Sequence, residues 1–461
     1  MNKIDVLLIL APSPNPGLMR SFAYQGMPPL GIGYLGTYLK ENGYSVRLLD
    51  MGRADVTINC LCKILDNNQI KMVGISTTTE TYKSGLKIAE VVREKCQDTK
   101  IFMGGAHVTF EYEDALNTGI VDIVVRGEGE ISTNNLCNCI IRNKGRLEDI
   151  KGIVYIDKGE IHVHEMEKMI CNLDNIPFPD RSLYEDLNTY AHPATCSTSR
   201  GCPGKCVFCA ASGLSGGKYR MRSPKNIVDE FEYLKGLGFT HVDIIDDTMT
   251  ASVRRLKEFM AELRRRNLGM TWYCESRVDV MTKALLSEMR ENGCSLIQFG
   301  VEAGSQEMLD CLRKNITISQ IHNVFRWCKE LGIEASTNLI IGQPYDTMDT
   351  ISDTLKIAVE LLNLGAYVNF TVCTPYPGTY MWDHLDEFGL DIIDTNTDHY
   401  TTFYPVYNSK NLSAREIRNA YYQAVKTIQK LKPHNINPSA KKYVRRLSEI
   451  QMESRRGEEE K

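Results

Sequence analysis

Short runs of aliphatic and β-branched residues alternate with stretches of helical period through roughly the first third of the chain. Val6–Leu10, Val46–Leu49, Met72–Ser76, Ile101–Met103 and Ile123–Val125 read as strands, and Leu30–Asn42, Ser84–Lys95 and Glu130–Arg142 as helices between them. Strands apolar on both faces and separated by helices belong to a parallel sheet covered on both sides. Residues 1–145 are therefore expected to form a doubly wound α/β domain, whose ligands bind in the crevice beyond the carboxyl ends of the strands. Those ends carry Pro28-Pro29-Leu30-Gly31, Ser76-Thr77-Thr78-Thr79, Gly104-Gly105-Ala106-His107 and Arg126-Gly127-Glu128-Gly129-Glu130. Glycine there lets backbone approach a large planar ligand, and threonine hydroxyls can bond at its rim. No G-x-G-x-x-G turn follows the first strand, which disfavours a dinucleotide.

A hairpin is predicted at Gly152–Tyr155 and Ile161–His164, followed by the proline-interrupted linker Asn172–Asp180. Residues 146–194 are accordingly expected to separate two domains. From 195 to 380 the alternation resumes. Ser223 and Pro224 start a helix with Ile227, Val228, Phe231 and Leu234 on one face, and Val242–Ile245, Ile297–Val301, Leu339–Ile341 and Val368–Val372 are strands. About six strands in this rhythm predict a partial parallel (β/α)6 barrel. Residues 381–461 read as a helical extension, with Ser413 and Glu416 as a capping box, and a charged tail from Arg455.

Composition narrows the function classes. Of 461 residues, 43% are hydrophobic and 24% charged, and the net charge is −4. This is an ordinary globular composition, with no basic block to track a nucleic-acid backbone. The apolar run Val6–Ala11 is too short for a signal peptide or membrane span, so a cytoplasmic protein is expected. Fifteen cysteines then indicate reduced thiols or metal ligands rather than disulfides. Cys60, Cys62, Cys96, Cys137, Cys139, Cys171, Cys294, Cys311 and Cys328 are expected to pack as small apolar residues.

Three others stand apart. Ser199-Arg200-Gly201-Cys202-Pro203-Gly204-Lys205-Cys206-Val207-Phe208-Cys209 is a C-x3-C-x2-C triplet with an aromatic residue before its last cysteine. Three thiolates on one loop can hold three irons of a [4Fe–4S] cubane and leave the fourth open. Structural zinc sites take four ligands, often as paired C-x2-C, which this stretch lacks. Cys196 could complete a closed site, although a packed thiol is the simpler reading.

The triplet at the head of a partial barrel resembles the radical S-adenosylmethionine (SAM) superfamily. Ile245-Asp246-Asp247-Thr248-Met249-Thr250, Glu275-Ser276-Arg277-Val278-Asp279, Gly300-Val301-Glu302-Ala303-Gly304-Ser305, Ile341-Gly342-Gln343-Pro344 and Thr374-Pro375-Tyr376-Pro377-Gly378-Thr379 follow in the order of its strand motifs. The resemblance implies that Cys202, Cys206 and Cys209 hold the cluster and that an external one-electron reductant drives SAM cleavage to a 5′-deoxyadenosyl radical. It implies SAM contacts from Phe208 near the adenine, Arg277 at the carboxylate, Asp246 and Glu302 as acceptors, and Gln343. Each of these also has a plainer reading as an ion-paired or packed residue.

The N-terminal domain resembles the Rossmann-like cobalamin-binding domain of the subgroup containing radical SAM C-methyltransferases and anaerobic Mg-protoporphyrin ester cyclases. This implies cobalamin contacts from Leu30, Thr77, Thr78, Gly104, Gly105, His107, Gly127 and Glu128. No D-x-H-x-x-G segment is present, so no histidine is expected beneath cobalt, and His107 has an alternative reading as a buried polar residue. The implied activity is methylation of an unactivated carbon using methylcobalamin and the deoxyadenosyl radical. Two alternatives stay open: oxidative cyclisation or carbon–carbon coupling without methyl transfer, and a non-catalytic, metal-clipped corrinoid sensor. The substrate could be a peptide, lipid, tetrapyrrole or small metabolite. Tyr400, Tyr404, Tyr407, Tyr421 and Tyr422 could line an apolar pocket, with helix packing the favoured reading.

Overall fold

Strands β1 (Asn2–Leu10), β2 (Val46–Asp50), β3 (Asn68–Ser76), β4 (Lys100–Gly104) and β5 (Ile123–Val125) pair in parallel in the order β2-β1-β3-β4-β5. This computed structural model describes residues 2–14 and 26–431, so the tail from Arg455 lies outside the described residues. Along β1, Leu7 and Ile9 enter one core with Val73, Ile75, Ile101 and Met103, while Val6 and Leu8 enter another with Leu48, Met72 and Phe102. Alternate side chains thus reach opposite layers of helix, and a buried aliphatic side chain contributes about 1.5–3 kcal/mol.

The hairpin β6 (Ile153–Asp157) and β7 (Glu160–Val163) forms as expected, but it does not stand apart from this sheet. β6 pairs antiparallel with β5, with Val125 opposite Ile153 and Ile123 opposite Tyr155. The edge of a three-residue strand is thereby covered. The linker also packs back: Tyr184 Oη donates to Pro29 O at 3.2 Å, Thr37 Oγ1 accepts from Asp180 N at 2.7 Å, and Tyr190 Oη donates to Asp50 at 2.8 Å. The described residues consequently fall into one unit of 2–14 with 26–193 and another of 194–431.

In the second unit, β8 (Thr195–Cys196), β11 (His241–Ile244), β12 (Thr271–Ser276), β13 (Cys294–Glu302), β14 (Glu334–Ile341) and β15 (Tyr367–Val372) form one parallel sheet in the order β15-β14-β13-β12-β11-β8. Two short strands near its start, β9 (Ser199–Arg200) and β10 (Arg220–Met221), pair antiparallel. Helices cover one face: Trp272 meets Phe259 of helix Val253–Arg266 at 5.6 Å between ring centroids, and Phe299 meets Phe325 of helix Ile318–Leu331 at 5.4 Å. Ser223 caps helix Pro224–Gly236, and Ser413 with Glu416 forms the capping box of helix Ala414–Leu431. That last helix packs on β14 and β15. Gly342, at φ +76°, permits this, because a Cβ there would lie 2.3 Å from Ile417. Tyr400, Tyr407 and Tyr421 are buried, which favours their packing role. Cys171 is exposed, against expectation.

Candidate functional site

The cysteine loop runs from β9 to the short helix Ala210–Leu214. Gly201 turns the chain into it at φ +84°, where a Cβ would stand 2.1 Å from Lys218 O. Val207, fully buried, pins the loop by donating its N–H to Leu312 O at 3.2 Å and accepting from Met381 N at 2.9 Å. The flanking thiols of Cys202, Cys206 and Cys209 are left partly accessible. A Cβ on Gly204 would lie 3.3 Å from Cys202 Sγ, 4.0 Å from Cys206 Sγ and 3.7 Å from Arg277 Nη1. The missing side chain keeps a concavity clear between two thiols and a guanidinium, which fits a cluster in that place. Among the described residues no three His, Cys, Asp or Glu side chains converge as a single ion requires. A cubane needs less convergence, since each thiolate binds a different iron. Cys196 is fully buried within β8.

Asp246, expected as an acceptor for SAM, is committed elsewhere. Its carboxylate accepts from Thr198 N at 2.6 Å, Ser199 N at 3.1 Å, Ser199 Oγ at 2.7 Å and the Thr198 hydroxyl, and Arg255 lies 3.8 Å away. It braces the segment that leads into the cysteine loop. The neighbouring Asp247 is exposed and accepts from the Gly201 backbone.

Gln343 is likewise held by the protein. It is fully buried, and Nε2 donates to Glu302 O and Ile340 O, both at 3.0 Å, so the amide braces β13 against β14. Glu302 itself has φ +69° at a register shift in β13, and its Oε1 accepts from Lys314 Nζ at 2.7 Å. Bulges of this kind re-aim side chains beside active sites. Arg277 grips Asp279 through Nε at 2.9 Å and Nη2 at 3.1 Å, and Nη2 also reaches Lys314 O at 2.6 Å. Its Nη1 stays beside the cysteine loop. Lys314, which sequence reasoning missed, joins Glu302, Arg277 and the cysteine loop, and burial raises the Cys206 thiol despite that cation. Phe208 is half-buried next to Cys209, whose thiol burial pushes up to about 11.

In the first unit, the ends of β3, β4 and β5 knit together. Thr77 N donates to Gly104 O at 2.9 Å, Thr109 Oγ1 to Gly105 O at 2.8 Å, and Gly127 N to Thr109 Oγ1 at 3.0 Å. Gly105 stands at φ +105° with Thr77 O only 2.3 Å from where a Cβ would be, so no other residue makes this turn. Thr78 is exposed and Glu128 precedes the helix Gly129–Arg142. Leu30, partly buried, packs against the cluster of Tyr34, Leu173 and Ile176. His107 is buried, 3.3 Å from Thr79 Oγ1 and 4.4 Å from the Tyr82 ring, and burial pushes its pKa down to about 4. Strand ends without bulky side chains and a histidine turned inward fit a corrinoid that receives no protein ligand from this position.

Residues 18–136 match the B12 binding domain, and residues 196–358 match the Radical SAM superfamily. The chain is 31% identical to an uncharacterized methyltransferase of Pyrococcus horikoshii, with 91% of this chain and 92% of that protein covered. It is 28% identical to the anaerobic magnesium-protoporphyrin IX monomethyl ester cyclase of Rubrivivax gelatinosus, covering 81% and 69%. Its fold is that of the radical SAM methyltransferase TsrM from Kitasatospora setae, with a TM-score of 0.72 at 17% identity over 94% of this chain and 89% of that one. The chain therefore belongs to the cobalamin-binding-domain family of radical SAM enzymes.

Proposed function

We propose that this enzyme transfers a methyl group to a carbon atom of its substrate. A B12-binding and a radical SAM domain in one chain, 91% of which aligns with a relative named as a methyltransferase, carry this reading. When bound, the cluster supplies the electron that cleaves SAM, and cobalamin carries the methyl group. Cys202, Cys206 and Cys209 would hold the cluster. Arg277 Nη1 receives the SAM carboxylate, Asp247 its ammonium group, and Glu302 the ribose hydroxyls, with Lys314 holding the Glu302 carboxylate in place. Phe208 covers the adenine side of the loop. Asp246 and Gln343 act as positioning residues through the cysteine loop and Glu302. Thr77, Thr78, Gly104, Gly105, Gly127 and Glu128 bound the corrinoid site. The enzyme works with an external one-electron reductant in the cytoplasm. Among the described residues, no helix is long and apolar enough to cross a membrane.

The test is anaerobic incubation of reconstituted protein with methyl-labelled SAM and a metabolite extract from cells carrying the gene. Label in a product, together with 5′-deoxyadenosine, is expected. Deoxyadenosine without labelled product would favour the cyclase-type reading, which the ester cyclase relative supports. Serine at Cys202, Cys206 or Cys209 is expected to abolish SAM cleavage.

A further inference from the structure

The inner face of the six-stranded sheet carries a row of polar side chains. Trp272 and Phe299 point to the helices, so Glu275, Gln298 and Gly300 point the other way. Parallel pairing places side chains of partnered residues on the same face. Glu275 pairs with Gln298, Gln298 with Ser336, and Ser336 with Tyr367; one layer nearer the carboxyl ends, Gly300 pairs with Asn338 and Asn338 with Asn369. The amides of Gln298, Asn338 and Asn369 are half-buried. Among the described residues none of these side chains has a hydrogen-bond partner, although each offers two donors and one acceptor. Among the described residues, Glu275 accepts only from the Tyr273 hydroxyl, at 3.4 Å.

Amides on three adjacent strands are costly to enclose and contribute nothing to the core, which lies on the opposite face. Gly300 has no side chain in the upper layer, and the Glu302 carboxylate and Lys314 ammonium fill its place, 2.4 and 2.6 Å from where a Cβ would be. We infer that this inner face is the substrate subsite, and that it selects a small, water-soluble molecule bearing several hydrogen-bonding groups, read by Gln298, Asn338 and Asn369, with Glu275 facing its most electropositive group. A hydrocarbon would leave all three amides unpaired, and sites built to hydrogen-bond discriminate strongly against ligands that cannot. Near-neutral titration of Glu275, which burial and Asp247 push up to about 7, suits a carboxyl awaiting a partner.

This inference rests on the SAM-cleaving reading above but not on methyl transfer. The experiment measures 5′-deoxyadenosine formation by the reconstituted holoenzyme without additions, and then with the aqueous or the chloroform phase of an extract from cells carrying the gene. The aqueous phase is expected to stimulate SAM cleavage. Asn338→Leu and Asn369→Leu are expected to lose about tenfold or more of that stimulation while keeping the unstimulated rate, which also reports that they fold and load the cluster. Gln298→Glu supplies a milder variant of similar size. Stimulation by the chloroform phase alone, stimulation unaltered in the variants, or an unstimulated rate that falls with the amides would overturn the inference, the last by giving these amides to SAM. No deoxyadenosine from the wild-type enzyme would instead sink the proposed function.

Discussion

Lys314 Nζ lies 2.7 Å from Glu302 Oε1, and the two side chains retain only 8% and 11% of their accessible surface. Removing one partner from such a pair leaves a buried charge uncompensated, at about 3–5 kcal/mol. Lys314→Met is expected to destabilise the apo-protein by that order in urea denaturation. Adding Glu302→Leu should restore most of the loss while SAM cleavage stays absent. Equal destabilisation by the single and double variants would show that the pair is not coupled.

The turn into the cysteine loop depends on Gly201. At φ +84°, with Lys218 O 2.1 Å from any Cβ, alanine must shift the backbone ahead of Cys202. Gly201→Ala is expected to lower iron and sulfide content and SAM cleavage in parallel. Full iron content with unchanged activity would contradict the placement of the loop.

Asp246 and Asp247 are adjacent but should behave oppositely. Asp246→Asn weakens charge-assisted bonds to residues 197–199, each worth about 1.5–3 kcal/mol, so thermal stability and iron loading should both fall. Asp247→Asn should leave both intact and weaken SAM binding, read by equilibrium dialysis. Reversed phenotypes would return the ligand role to Asp246.

Glu275 makes a pH prediction whose sign follows from its environment. Burial first, then the Asp247 charge, lift its pKa to about 7 in the folded protein, against about 4.3 in an unfolded chain. The folded state holds the proton more tightly, so the favourable contribution is complete below about pH 4 and is lost as pH rises towards 7. The melting temperature of apo Glu275→Gln minus that of the wild type should therefore increase from pH 5 to pH 8. A constant difference would show that this carboxyl is ionised throughout.

His107 is neutral and enclosed by Thr79 and Tyr82. Cobalamin-loaded protein reduced to cobalt(II) is expected to show no nitrogen superhyperfine splitting from this residue in electron paramagnetic resonance, and His107→Gln should leave the spectrum unchanged. Splitting that disappears in the variant would make His107 a cobalt ligand.

Much of this was legible in the chain itself. Both-face apolar runs such as Val6–Leu10, helices started by Ser223-Pro224 and Ser413, and the C-x3-C-x2-C spacing are local patterns, because burial period, capping and ligand spacing act over a few residues. They were enough for two α/β units, the cysteine loop and the family. Tertiary structure alone decided the rest. The hairpin joined the first sheet because β5 had an unpaired edge, a fact of strand order rather than of local pattern. Asp246 became a brace because its bonds depend on what residues 197–199 present between β8 and β9. Likewise, Gln298, Asn338 and Asn369 are scattered polar residues in the sequence, and only parallel register sets them side by side on one face.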